Sequence, residues 1–404
     1  MSYAIKCLSF VLYCCFLTGC WSANELTDIS LATSLAIDKD EQGYMVTIQV
    51  LNPNEIAGDK ISNRATVSSY SAVGETMFEA VRKLTETSPR KVNLSHLQLI
   101  VYGEELARDG IGKTLDLLLR DHELRTDFNI IVAKGTRGKE LISILTPLER
   151  IPATKIKTSL ESSQNFLAST KVVQLSELVE SISAEGKEAV LNSVYVEGDT
   201  NFGPKIENAE SGTAPTKLLL DGIGVFSDDK LQGWLSTNEG KGYNFITDNI
   251  TSTSIQTNCG ESGKLALEVT SSKTKLKGMW KDGTPQIGIT INLEANIADA
   301  ECVIDLTKEE NILALREGAD KSIKALVETS ILTAKEYESD IFGFGEVMKR
   351  SHPKIWDKIK GDWPSHFSNL TVDIEVSTEI KNAGIIAQPI YDAVQRKKQQ
   401  KEGN

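Results

Sequence analysis

Between Leu31 and Val196 the chain alternates stretches of strand period with stretches of helix period, and that order leaves few ways to bury its apolar side chains. Leu31 to Ile37 and Tyr44 to Leu51 alternate apolar with polar or β-branched residues around Asp38-Lys39-Asp40-Glu41-Gln42-Gly43, which predicts a hairpin. Thr76 to Leu84 has helical period, His96 to Tyr102 reads as a strand, and Glu104 to Leu124 as one helix. A strand at Phe128 to Ala133 and a helix at Gly138 to Leu145 follow. Helical stretches near Ile156 to Leu167 and Leu175 to Ile182 then lead to a strand at Ala189 to Val196. This βαβα order implies a sheet covered by helices.

Glu197 to Thr216, rich in Gly, Asn, Thr and Pro, interrupts every periodicity. Beyond it, Leu218 to Phe226 and Leu231 to Leu235 bracket Ser227-Asp228-Asp229-Lys230 as a second hairpin. Leu265 to Leu276 and Gln286 to Ala298 are long alternating strands joined at Lys281-Asp282-Gly283. Thr307-Lys308-Glu309-Glu310 has the spacing of a capping box. It opens a long amphipathic helix with Ile312, Leu315, Ala319, Ile323, Leu326 and Val327 on one face. A last strand is expected at Leu370 to Val376, and there is no internal repeat. The expected architecture is mixed α/β (α+β), with β-sheets covered by helices in two to three domains. An N-terminal α/β domain (20–198), a linker (199–216) and a C-terminal α+β domain (217–396), open to a further division near Asp305, precede a basic tail (397–404).

The first nineteen residues read as a cleaved signal. Lys6 supplies a positive start, and the apolar run Leu8 to Phe16 is shorter than the ~20 residues that span a bilayer. The run closes on Leu17-Thr18-Gly19-Cys20, which matches the lipobox of bacterial lipoproteins, with Cys20 taking an S-diacylglycerol and an N-acyl group. An ordinary signal peptide with an incidental cysteine is the alternative, since Cys7, Cys14 and Cys15 make the segment Cys-rich. Each acyl methylene buried in the bilayer contributes about 0.8 kcal/mol, so two or more chains anchor stably. Trp21, beside the anchor, suits a headgroup interface or a plain tether.

The mature chain has 43 basic and 56 acidic residues, a net charge of −13, which argues against nucleic acid and against electrostatic adhesion to anionic lipid. The tail with Arg396, Lys397, Lys398 and Lys401 is the exception and reads as a solvated terminus. Cys259 and Cys302 remain after processing; in an oxidising compartment they can pair, or they can stand apart across three expected strands. His96, His122, His352 and His366 have no ligand spacing, so no metal is assigned. Gly110-Ile111-Gly112-Lys113-Thr114 resembles the end of a phosphate-binding loop, but position 107 is Ala where that loop needs Gly, and a helical turn intervenes after the strand. Gly222-Ile223-Gly224 sits inside a strand, where Gly marks a bulge. No G-x-S-x-G, S-x-x-K or H-E-x-x-H occurs, so no catalytic residue and no cofactor is assigned.

His96, at the start of a buried strand, reads as a structural histidine. Arg120, Asp121 and Arg125 surround a helix end, as charged caps or as a partner-facing patch. Trp356 and Trp363, seven apart, share one face of an unbroken helix, as a core stripe or a subunit contact.

Several segments resemble the Ger(x)C family, the C subunits of spore germinant receptors. They are Cys20-Trp21-Ser22-Ala23-Asn24-Glu25-Leu26, then Ser95 to Ala107 followed by Gly110-Ile111 and Arg120 to Arg125. Gly222 to Phe226, Gly233-Trp234-Leu235, Pro353-Lys354-Ile355-Trp356, Trp363 and Phe367 continue the likeness, which covers nearly the whole mature chain. The resemblance implies a non-catalytic, lipid-anchored mixed α/β subunit on the outer face of the spore inner membrane. It also implies assembly with two integral membrane subunits of A and B type, and a need for the subunit in nutrient-triggered germination. The alternative is an extracytoplasmic solute-binding lipoprotein, which needs two similar lobes around a cleft. An exported cell-wall hydrolase is the enzymatic rival.

Overall fold

A computed structural model describes residues 29–52, 65–121, 123–259 and 263–382, with positions 3, 55 and 394 in isolation. Cys20, Trp21, His122 and the tail 397–404 lie outside the described residues. β1 (Ile29–Asp40) and β2 (Gly43–Leu51) form the expected hairpin, and β3 (Val67–Gly74) adds antiparallel to β2. After helix α1 (Met77–Thr87), the short β4 (Lys91–Asn93) runs parallel to the start of β1. β5 (Leu99–Gly103), β6 (Asn129–Ala133) and β7 (Val190–Glu197) extend the other side of β1 in parallel. β5 and β6 are buried at every position, as strands covered on both faces must be.

The period of two sorts the first sheet's side chains between two layers. Leu35, Ile37, Ile100, Tyr102, Ile130 and Val132 meet α1, α2 (Glu104–Asp109) and α3 (Gly112–Arg120) on one face. Ala36, Leu99, Val101, Ile131 and Ala133 meet α4 (Gly138–Ser143) and α5 (Pro152–Phe166) on the other. The single helix expected from Glu104 to Leu124 is two helices, because Gly110 adopts φ +130° between α2 and α3. α6 (Leu175–Ser183) precedes β7 as expected.

The segment 199–216 does not separate two sheets. It carries α7 (Ile206–Glu210), and buried Asn208 donates to Leu145 O (2.7 Å) and Thr216 O (3.0 Å) while accepting from Thr216 N (2.9 Å). β8 (Lys217–Ser227) and β9 (Lys230–Leu235) then continue the first sheet antiparallel from β7, giving nine strands in the order β3-β2-β1-β5-β6-β7-β8-β9 with β4 beside β1. The bulge expected at Gly222 is present: the register slips between Asn192 and Val194, and Gly222 takes φ +77°.

Ser236 and Glu239 form a capping box for α8 (Thr237–Ile246), a helix that the periodicity did not reveal. At the expected capping box no such bond forms. Asp305 accepts both the Thr307 hydroxyl (2.6 Å) and the Thr307 N–H (3.0 Å), so that hydroxyl is not available to the helix, which starts from Lys308 with no side-chain cap.

The second sheet has the order β10-β11-β12-β13: β10 (Thr253–Cys259), β11 (Gly263–Lys281), β12 (Thr284–Ala300) and β13 (Thr371–Asn382). β10 was not expected from sequence. β13 pairs parallel with β12 after a crossover through α9 (Glu309–Glu336), α10 (Phe344–Ser351), α11 (Pro353–Ile359) and α12 (Trp363–Ser368), so the chain does not divide near Asp305. Leu315, Ala319, Ile323, Val327 and Ile331 repeat every four residues along the buried side of α9, in one core cluster with Ile287, Ile289 and Ile291 of β12. That cluster is continuous with the helical face of the first sheet.

Cys259 ends β10 and Cys302 lies just past β12; two strands separate them, and the structure joins them in a disulfide with Cα atoms 5.9 Å apart. Closing a 43-residue separation stabilises by up to ~4 kcal/mol in a chain-entropy account. Cys302→Ser should lower urea stability by a large part of that, and thiol titration of the denatured, unreduced protein should find no free thiol at Cys259 or Cys302. Two reactive thiols there would show an open pair.

Candidate functional site at the seam of the two sheets

In open α/β sheets ligands bind beyond the carboxyl ends of the strands, where helix N-termini offer free N–H groups. Here the chain's own carboxylates fill those positions. Asp38, near the end of β1, accepts from Gly138 N (2.7 Å) and Lys139 N (2.9 Å) at the start of α4, and burial raises its pKa against these donors. Asp229 accepts from Gly112 N (2.8 Å) at the start of α3, while its carbonyl accepts from Ile111 N (3.0 Å). A Cβ on either Gly110 or Gly112 would lie 2.7 Å from that carboxylate. Glu104 accepts from Gly135 N (2.7 Å). The stretch that resembles a phosphate loop is thus occupied by Asp229, and the Thr114 hydroxyl is turned inward to Tyr102 (2.7 Å) and Ile111 O (2.6 Å).

The strongest concentration of perturbed groups lies where the second sheet's helices meet the first sheet. Gly343 adopts φ +75°, which turns the chain so that Asp340 caps the start of α10 from within: its carboxylate accepts from Phe344 N (3.0 Å) and Gly345 N (2.7 Å). The indole N–H of Trp363 donates to the same carboxylate (2.9 Å), tying α12 to α10. On the first sheet's side, Glu188 N donates to Asp340 O (2.8 Å), the Ser339 hydroxyl donates to Phe226 O, and the Glu188 carboxylate accepts from Asp228 N (2.7 Å). Gly186 fits only as glycine: it has φ +88°, and a Cβ would lie 2.6 Å from the Trp356 ring and 2.8 Å from Gly345 Cα. At the exposed rim Glu185 pairs with Lys349 (3.2 Å) and Lys360 (3.1 Å), contacts that add little each.

A cavity of about 330 Å³ opens here, lined among others by Glu185, Glu188, Asp340, Trp356 and Trp363. Burial pushes the Asp340 carboxyl up to about 6 despite its three donors. Burial, with the carboxylates of Asp228 and Asp340 nearby, pushes Glu188 up to about 7. Such values suit proton transfer on their own, but Asp340 is 2% exposed with both oxygens committed to backbone and indole donors. The arrangement docks two sheets. Among the described residues no group of three or more His, Cys, Asp or Glu side chains could hold a metal.

The residues singled out from sequence do not meet at this seam, except for the two tryptophans. Trp356 and Trp363 fall on separate short helices, yet both are buried and their rings pack edge to face with centroids 5.1 Å apart, as core. Arg120 pairs with Asp116 (2.8 Å) on α3, Asp121 accepts from Glu123 N (2.9 Å), and Arg125 pairs with Asp127 (3.0 Å). Each of the three closes a local contact, and they share no partner in those bonds. His96 is exposed in the turn before β5, with its ring beside the Ser95 hydroxyl (3.0 Å), and is not the buried histidine expected there. The strand starts three residues later than its apolar pattern suggested. Asp340, Glu188 and Gly186 were missed. The signal available was an Asp three residues before Gly-Phe-Gly, a carboxylate placed to cap a helix that a left-handed glycine starts.

Asp340 and Glu188 hold their protons more tightly folded than unfolded. Their contribution is complete below the unfolded carboxylate range and is lost as pH rises through about 6 and about 7. Thermal unfolding followed from pH 5 to pH 8 should therefore show falling stability across that window, and Glu188→Gln should flatten its upper part. A wild-type profile that rises from pH 5 to pH 8 would contradict this. Gly186→Val should cost at least ~2 kcal/mol, read by urea denaturation.

Residues 22–196 match the family described as spore germination protein N-terminal domain, and residues 221–384 match spore germination B3/GerAC-like, C-terminal. Spore germination protein KC of Bacillus subtilis is 28% identical over 399 residues, covering 95% of this chain and 98% of the relative. Spore germination protein B3 of the same organism is 24% identical over 386 residues, covering 92% and 95%. The crystal structure of the GerBC protein superposes with a TM-score of 0.53 at 21% identity, covering 86% of this chain and 97% of that one, and so shares the fold. The two matched segments together leave out residues 1–21, 197–220 and 385–404. The chain belongs to the Ger(x)C family of spore germination proteins.

Proposed function

We propose that this chain is the non-catalytic, lipid-anchored C subunit of a spore germinant receptor. In this reading it is held at the outer face of the spore inner membrane by Cys20 and assembles with two integral membrane subunits. Membership in the family gives it a role in spore germination; the anchor and the partners are the finer part of the reading. The observation that carries it is the match to spore germination proteins over 95% of the chain, with the N-terminal family segment beginning at residue 22, two positions past the lipobox cysteine. Among the described residues no helix is long and apolar enough to cross a membrane; in this reading the lipid at Cys20 provides the attachment. The helix N-termini filled by Asp38, Asp229 and Asp340 support a body that works through its surface and its docking.

A solute-binding lipoprotein is the rival reading. Its two lobes should be alike, whereas here a nine-stranded mixed sheet covered on both faces joins a four-stranded sheet. Calorimetric titration of the purified protein with single amino acids and sugars separates the two, since saturable binding of one of them favours the rival. Deleting the gene should abolish or sharply slow germination with one set of nutrients and spare others. A Cys20→Ala copy should leave the membrane fraction and fail to restore that response; full restoration by a soluble protein would remove the lipid from the account.

A further inference from the structure

The place where the chain enters the first sheet limits which end of the body lies near the lipid. Eight residues separate Cys20 from Ile29, the first residue of β1, and they extend ~30 Å at most. The far end of β1, at the turn with Glu41 and Gln42, is roughly a further 40 Å along the twelve-residue strand.

The surface around the start of β1 has a definite character. Lys91 lies opposite Ile29 in the parallel β1–β4 pair, and Arg90 precedes it; both are exposed. At the end of β2, Asn52 N donates to Thr66 O (2.8 Å), which places Thr66 two strand spacings, about 10 Å, from the line of β1. The Thr66 hydroxyl donates to Arg150 O, which brings the loop between α4 and α5 to the same end. That loop is a tight turn, closed by the Thr146 hydroxyl on Glu149 O (2.7 Å), with Pro147 and Leu148 at its tip. Leu148 is 92% exposed, more than Phe166 at 74% or Leu332 at 61%, and Arg150 is exposed beside it. An apolar Pro-Leu tip beside Arg150, whose Nη1 also donates to Glu55 O (3.4 Å), suits a headgroup layer, where the leucine enters and the guanidinium meets phosphate.

We infer that this end of the first sheet lies on the phospholipid surface, with Leu148 in the headgroup layer and Arg90 and Arg150 against lipid phosphate. The inference rests on the anchoring at Cys20 proposed above. One leucine and two arginines do not hold a body of net charge −13 to a bilayer; they orient a body the lipid already holds. β1 then points away from the membrane, and its turn at Glu41 stands in water.

The test uses the full lipidated protein in vesicles of phosphatidylcholine and phosphatidylglycerol. Leu148→Cys and Glu41→Cys variants, both at exposed turns, carry an environment-sensitive fluorophore. The label at 148 should shift to the blue and be quenched several-fold more by a lipid-borne nitroxide than the label at 41, which should respond as in free solution. If the protein pellets with vesicles and both labels stay in water, or the label at 41 is the shielded one, the orientation is wrong and the anchor stands. If the protein does not pellet, the anchor itself fails and the inference with it. Shielding at 148 that appears only when membrane protein subunits are present would make the surface a protein contact and overturn the lipid assignment.

Discussion

The Asp340 carboxylate, buried with backbone and indole donors around it, is the constraint on which the assembly of this fold depends. Its three donors come from two helices, and its own carbonyl receives the Glu188 N–H that leads into β7. One residue therefore fixes the start of α10, the position of α12 and the entry into β7 of the first sheet. A buried charge is tolerated only when its hydrogen-bonding capacity is filled, so the helices cannot slide without exposing it or leaving it unpaired. Gly186 and Gly345 have no side chain for the same reason of space, since the two backbones approach closely over the Trp356 ring.

The same device recurs where a ligand site would be expected. At α4 and α3 the free N–H groups are taken by Asp38 and Asp229, residues distant in sequence that arrive by folding. These carboxylates take the first N–H groups of both helices, where an outside anion would otherwise bind. In the reading proposed above, function then falls to the outer surface and to the way the sheets are joined.

Much of the fold was legible because its elements carry strong local patterns. Strands β1, β2, β5, β6, β8, β11 and β12, the helices that cover the first sheet and the four-residue stripe of α9 follow from period alone. The parts that were not legible depended on partners distant in sequence. Glu104 to Leu124 is apolar at helical spacing throughout, and only the left-handed conformation of Gly110 breaks it. Thr307 has the residues of a capping box, yet Asp305 competes for its hydroxyl, while Ser236 and Glu239 form the box without an apolar stripe to announce it. The 199–216 stretch has linker composition, but β8 finds its partner in β7 on the far side of it, and hydrogen bonding across a loop leaves no mark on composition. The candidate seam was the least legible, since only Asp340 carries a local signal, in the Gly-Phe-Gly that follows it, while Gly186 and Glu188 lie far from it in sequence and meet it through folding.

If the seam makes the two sheets one cooperative body, native-state hydrogen exchange under rising urea tests it most directly. The slowest amides of β5 in the first sheet and of β12 in the second should converge on a single opening free energy with a single urea dependence. Two separate plateaus, with β12 opening while β5 stays protected, would contradict the account and leave the second sheet an independently folding domain.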